Sequence, residues 1–193
     1  MKTKLLEDLQ VLRREDVYLT QEIETKCKDH FFPAGVNELT LDLSNVTSAF
    51  YGLALKNIGE EYGVQGIKKI SEKVFYDLGR LKAIQCKSKL EDFPADTTAL
   101  ALVVISAIYN ASPEYTFEIL TFSPNETSIK LTGVDRYLRV LSQLELDSYI
   151  DFPVLIPFFE GIRDELNLTC TIDFESDMNK EENKTNTTYK FAI

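Results

Sequence analysis

The stretch EYTFEILTFSPNETSIKLT, residues 114–132, decides the fold class because it holds two alternating apolar runs joined by a turn. In the first run Tyr115, Phe117 and Ile119 fall on one side of a strand, and in the second Ile129 and Leu131 repeat the period of two. The Ser-Pro-Asn tripeptide between the runs is typical of a turn. The stretch therefore predicts a pair of neighbouring strands.

The sequence after this pair changes its period twice. After Gly133 the apolar residues take helical spacing, and a second apolar helical segment runs from Phe152 to Leu166. Alternation returns between Leu168 and Phe174, and a last short strand spans Tyr189 to Ile193. The polar segment from Asp177 to Thr187 is expected to be a hairpin tip or a disordered loop.

Three helices are predicted upstream of the strands. The first is expected to begin at a cap on Ser44 or Asn45 and to end at Gly63, with an apolar face of Phe50, Leu53, Ala54, Ile58 and Tyr62. The alternating segment 37–43 before it is either a strand or an extended connection. The second helix carries apolar residues at helical spacing from Ile67 to Ile84 and should pair with the first, with Gly79 allowing close approach.

The third helix, from Pro94 or Asp96 to Asn110, is apolar on nearly every side and is expected to be central and covered all round. Together these elements predict an α+β fold, a helical layer packed on a four-stranded antiparallel sheet in the order ααα-ββ-αα-ββ with an N-terminal helical leader. With 193 residues the chain is expected to be one domain. Its parts are a leader (1–43) with a narrow stripe of Leu5, Leu9 and Leu12, a helical part (44–111) and a sheet with inserted helices (114–193).

Composition argues against several classes of partner. The net charge of -10 argues against nucleic acid, whose phosphates need clustered Lys and Arg. No stretch has the roughly 20 apolar residues of a membrane span. Acidic residues follow the basic start at Met1, so no signal peptide is expected, and three widely spaced cysteines fit reduced thiols; both predict a cytoplasmic protein. One pattern argues instead for a secreted, glycosylated protein. N-x-S/T triplets, the acceptor pattern of N-glycosylation, begin at Asn45, Asn110, Asn125, Asn167, Asn183 and Asn186.

The polar residues do not form a complete catalytic or metal-binding set in the sequence. Cys27 and His30 have a metal-ligand spacing, but zinc needs more ligands, so a part-exposed pair is the preferred interpretation. Asp173, Glu175 and Asp177 should line one solvated strand face. Arg136 and Arg139 lie on one helix face, where ordinary surface pairing is expected rather than a carboxylate site. No catalytic residue, metal site or cofactor is therefore predicted.

The apolar segments predict a pocket more directly. Two prolines and several bulky side chains mark the segment from Phe152 to Phe159, which should lie beside the third helix. Core packing, a ligand pocket and a dimer contact are the alternatives. A pocket would be lined by Leu100, Val103, Val104, Ala107, Ile108, Phe152, Leu155, Phe158 and Phe159, and would need an enclosed volume of roughly 300 Å³.

The C-terminal order resembles the fold shared by 4-vinyl reductase-like domains and the TRAPP vesicle-tethering subunits. The local likeness lies in residues 158–166 (FFEGIRDEL) and in the closing strand 189–193 (YKFAI). Residues 51–80 are also similar to the helical pair of bacterial proteins grouped near 2-aminothiazoline-4-carboxylate hydrolases. The 4-vinyl reductase-like resemblance implies a binder of small or hydrocarbon-type ligands. Those domains often have cysteines within the last hairpin, whereas here only Cys170 is nearby.

Three functions follow as hypotheses. The preferred one is a non-catalytic, homodimeric binding or sensor domain for an apolar small molecule. The second is a small hydrolase of a cyclic amide-like or amidine-like substrate, with Cys86 or Cys170 as nucleophile and His30 or an acidic residue as base. The third is an assembly or scaffold subunit.

Overall fold

The computed structural model describes residue 13 and residues 15–193. The stripe predicted for Leu5, Leu9 and Leu12 lies outside the described residues. Contacts group the chain into two compact units, which divide between Leu43 and Ser44. The first unit contains helix α1 (Gln21–His30), whose N-cap Thr20 accepts a hydrogen bond from the Ile23 N–H; none of its residues is buried.

The other helices and strands follow the predicted order and confirm the α+β fold class. The helices before the sheet are α2 (Val36–Tyr62), α3 (Val64–Lys87) and α4 (Thr97–Ala111). The first two strands are β1 (Tyr115–Phe122) and β2 (Glu126–Val134). Helix α5 (Arg136–Gln143), a 3-10 turn (Asp147–Tyr149) and α6 (Ile156–Glu165) come next, followed by β3 (Thr171–Asn179) and β4 (Lys184–Ala192).

The four strands form one antiparallel sheet in the order β1-β2-β4-β3. Ile129 of β2 and Phe174 of β3 both stand opposite Tyr189 of β4, which places the C-terminal strand inside the sheet. The alternating residues Ile129, Leu131, Tyr189 and Phe191 are buried. Period-two patterning therefore gives the sheet one apolar face, against which α4 packs.

Helix α2 corrects two predictions. It begins at Val36, so segment 37–43 is helical and Ser44 lies inside the helix instead of capping it. The predicted apolar face is also wrong, because Phe50, Leu53 and Tyr62 are exposed while Ser44, Ser48, Gly52 and Leu55 are buried. The cause is close packing: a Cβ on Gly52 would lie 2.8 Å from Leu144 Cδ1, so only small side chains fit there.

Two further predictions fail at the ends of elements. Most of the first half of α4 is buried, but Leu102 is 38% exposed and Tyr109 is 80% exposed, so the helix is not covered all round. Strand β4 starts at Lys184 and β3 runs to Asn179, so the expected polar excursion is only the turn 180–183. Buried Thr185 and Thr187 share a hydroxyl hydrogen bond of 2.6 Å, which lets polar, β-branched residues occupy the inner face.

Gly79 does allow a close approach, but to α6 rather than to α2. A Cβ on Gly79 would lie 2.0 Å from the Phe158 carbonyl oxygen, and one on Gly161 would lie 2.1 Å from the Tyr76 carbonyl oxygen. The two glycines therefore let the backbones of α3 and α6 touch in both directions. This contact places Phe158 and its neighbours against α3.

Candidate functional site

An apolar cavity, hereafter the central cavity, lies among α3, α4, α5, α6 and the start of β1. Its volume is about 60 Å³. The lining comprises Phe75, Leu78, Lys82, Val104, Ala107, Ile108, Ala111, Ser112, Tyr115, Arg136, Tyr137, Leu155, Phe158 and Phe159. Each of the four helices contributes because its apolar stripe faces the same interior.

Six of the nine predicted pocket residues line the central cavity: Val104, Ala107, Ile108, Leu155, Phe158 and Phe159. Leu100 and Val103 are buried in the core without lining it. Phe152 instead borders an open groove of about 730 Å³, beside Lys68 and Phe174. The central cavity, at about 60 Å³, is well below the roughly 300 Å³ expected for a ligand pocket.

Arg136 is a polar residue of the central cavity that the sequence interpretation placed on the surface. It is 4% exposed, which contradicts the surface pairing expected for it. Its Nη1 donates to Ser44 Oγ (2.6 Å) and to the Ala111 carbonyl, and its Nη2 donates to the Tyr137 hydroxyl (2.8 Å). Its Nε is buried and has no hydrogen-bond partner among the described residues. The available signal was that Arg136 lies four residues before the buried Val140, on the same helix face.

The Glu114 carboxylate approaches Arg136 through an intermediate hydroxyl. Ser44 Oγ donates to Glu114 Oε1 (2.7 Å) while it accepts from Arg136. Glu114 also lies 3.9 Å from Arg139, and its Oε2 is buried without a hydrogen-bond partner in the described part of the chain. Arg139, which donates to Asn45 Oδ1, does not line the cavity. The two arginines of α5 therefore have different environments.

Asp135 positions Arg136 at the start of α5. Its buried side chain accepts hydrogen bonds from the backbone N–H groups of Tyr137 (2.9 Å) and Leu138 (3.0 Å), and the Tyr115 hydroxyl also bonds to it. Burial nevertheless raises the pKa of Asp135, although these hydrogen bonds and the Arg136 charge oppose that shift. Burial likewise raises the pKa of Tyr115. The Asp135 carboxylate is thus committed to capping the helix.

The other candidate residues do not converge. Cys170 is buried, and burial raises the pKa of its thiol, which disfavours the reactive thiolate. Cys27 and His30 lie on α1 in the other unit, and no group of three or more metal-ligating side chains occurs among the described residues. Asp173, Glu175 and Asp177 are exposed on the edge strand β3, with Asp173 opposite Lys190.

Comparisons with known proteins give a likeness of fold. No family model matches the chain, and no curated protein matches its sequence. Among solved structures, the chain is similar to the phenol-responsive sensory domain of the transcription activator PoxR, whose crystal structure contains phenol. The TM-score is 0.53 at 12% sequence identity, and the match covers 75% of this chain and 74% of that one. Within the described residues, no helix has both the length and the apolar character to cross a membrane.

Proposed function

We propose that this chain is a non-catalytic binding or sensor domain whose ligand is a small molecule with an apolar body, held in the central cavity. The observation that carries the proposal is an apolar cavity among four helices, lined by a buried guanidinium whose Nε–H has no hydrogen-bond partner among the described residues. A core formed only for stability would fill such a space and pair such a group. The fold likeness to a sensory domain described as phenol-responsive supports the same function.

The small volume requires that ligand binding enlarges the cavity. About 60 Å³ is less than a ring-sized ligand needs, so some lining side chains must move. Leu78 and Leu155 are only partly buried, which leaves their side chains freedom to do so. Binding coupled to such a movement would give the domain two states, as a sensor needs.

Filling the cavity tests the proposal. Isothermal titration calorimetry with phenol and benzoate as probes should show saturable binding to the wild type. Ala107→Leu places extra carbons in the cavity and should weaken binding by about tenfold or more, equal to roughly 1.4 kcal/mol. The control Ser106→Leu alters the next residue of α4, which does not line the cavity, and should bind as the wild type does. Equal binding by both variants would place the ligand elsewhere.

We also propose that the domain works as a homodimer formed through α2. Val46, Phe50 and Leu53 are 68%, 76% and 50% exposed and follow one another at spacings of four and three residues. In the sequence, Leu39 and Leu43 continue this spacing. Such spacing is typical of a helix–helix seam, and a second copy of α2 presents the same residues to it.

Sedimentation velocity tests the dimer. The wild type should sediment as a dimer, and Phe50→Glu should sediment as a monomer because it places a charge in the seam. Ile119→Glu introduces the same charge at an exposed apolar residue of β1 and should remain dimeric. A monomeric wild type, or a dimer that survives Phe50→Glu, would contradict this interface.

A further inference from the structure

We propose that the ligand of the central cavity carries an anionic group, a carboxylate or its chemical equivalent, which binds the Nε side of the Arg136 guanidinium. This inference rests on the proposed function, since it names the chemistry of a ligand in the same cavity. It replaces a purely apolar ligand with an amphipathic one, in which the apolar body lies against Phe75, Phe158 and Phe159.

The hydrogen bonds of Arg136 leave one side of its guanidinium for a ligand. A guanidinium has five N–H donors. Ser44, Ala111 and Tyr137 are all neutral acceptors, and they contact Nη1 and Nη2 only. Nε has no partner in the described part of the chain, and Nη2 makes one bond of the two it can donate. Nε together with an Nη group is the fork that binds a carboxylate through two parallel hydrogen bonds.

The charges around the cavity favour an anion. Two basic side chains, Lys82 and Arg136, line it, and none of the acidic side chains that the structure describes does, although the whole protein has a net charge of -10. The neighbouring carboxylates do not occupy the Nε side. Asp135 bonds to the start of α5 and to Tyr115, while Glu114 contacts Ser44 and lines a different, open groove.

Burial makes this arrangement costly without a ligand. Removing a guanidinium from water is expensive unless an opposite charge and hydrogen bonds compensate for it. Among the described residues, the guanidinium donates to three neutral oxygen atoms and its Cζ lies 4.8 Å from the centre of the Tyr137 ring, while the charge of Asp135 acts on it without a hydrogen bond to it. An anionic ligand would supply both the missing charge and the missing acceptor, so part of its binding free energy would come from relieving a cost already present in the protein.

Two matched pairs of probes test the inference on the wild type. Benzoate and benzamide have nearly the same shape and differ in charge, and propionate and propionamide form a smaller pair for a tighter cavity. Calorimetry should show that each anion binds at least about tenfold more tightly than its amide, as expected for a charge-assisted bidentate contact. Ala107→Leu should abolish the preference, which assigns it to the central cavity.

A variant pair assigns the preference to the residue. Arg136→Met should reduce benzoate binding to the level of benzamide, while Arg139→Met, on the same helix but outside the cavity, should retain the wild-type preference. If Arg136→Met does not fold, the wild-type comparison decides by itself. Equal or tighter binding of benzamide, propionamide or phenol would overturn the anionic ligand and leave the proposed function standing. Absence of binding by every probe would overturn both.

Discussion

Gly79→Ala is the substitution for which the structure predicts the sharpest effect. An added Cβ would lie 2.0 Å from the Phe158 carbonyl oxygen, 2.9 Å from its carbonyl carbon and 3.2 Å from the Ile162 nitrogen. All three are backbone atoms of α6, so no side-chain rotation relieves the contact. Gly161 makes the reciprocal approach to Tyr76, which keeps the two helices from sliding past each other.

The magnitude follows from the distance that must open. Ordinary contact begins near 3.4 Å, so α3 and α6 must separate by about 1.4 Å at this point (3.4 minus 2.0). Overpacking of this kind costs about 1–3 kcal/mol, occasionally more. Ala gains up to about 1 kcal/mol over Gly from helix propensity. Because backbone and not side-chain atoms must move, we expect an overpacking cost of about 3 kcal/mol. After the gain in helix propensity is subtracted, the free energy of unfolding should fall by about 2 kcal/mol.

Urea denaturation followed by circular dichroism measures this loss, and thermal denaturation should show a decrease of about 4–8 °C in Tm. Gly66→Ala is the matched control on α3. Its added Cβ would meet a side-chain methyl group, Ile58 Cγ2, at 3.2 Å, so the variant should be as stable as the wild type or more so. A Gly79→Ala variant within about 0.5 kcal/mol of the wild type would refute the backbone contact between α3 and α6.

Two further predictions concern titratable groups. Because the pKa of Asp135 is raised in the folded state, its contribution to stability is present below the ordinary pKa of an aspartate, near 4, and is lost as pH rises through the folded value. Asp135→Asn removes this titration, so the wild type should lose stability relative to the variant as pH rises above about 4; a constant difference would contradict the raised pKa. Cys170 should react with iodoacetamide more slowly than the less buried Cys27 and Cys86, as measured by mass spectrometry. Rapid alkylation of Cys170 would favour the hydrolase hypothesis instead.

The strands show which features a local sequence pattern can predict and which it cannot. Tyr115, Ile129 and Leu131 follow the predicted period of two and are buried, because a period of two turns one side of a strand toward the core. Ile119, predicted on the same side as Tyr115, is instead 44% exposed, next to a shift in the β1–β2 register. The length of β4 was not predicted. Thr185 and Thr187 have polar atoms, and only neighbouring strands and hydroxyl partners such as Ser176 make their burial favourable.

In the candidate site, the apolar lining could be predicted from the sequence and the buried charge could not. Six apolar lining residues were predicted because bulky side chains on adjacent segments tend to share one interior. Arg136 was predicted to be on the surface, since a charged residue is rarely buried without a partner. Its guanidinium donates hydrogen bonds to Ser44, Ala111 and Tyr137, and two of these three residues lie far from it in the sequence.

The sequence by itself determined the order of the elements, the antiparallel sheet and most of the apolar interior, because periodicity and turn chemistry act between residues close along the chain. The tertiary structure alone decided which face of α2 is buried, where Gly79 makes its contact and that Arg136 lies in a cavity. These depend on distances between segments tens of residues apart, which set the space available for a side chain and the partners available to a charge.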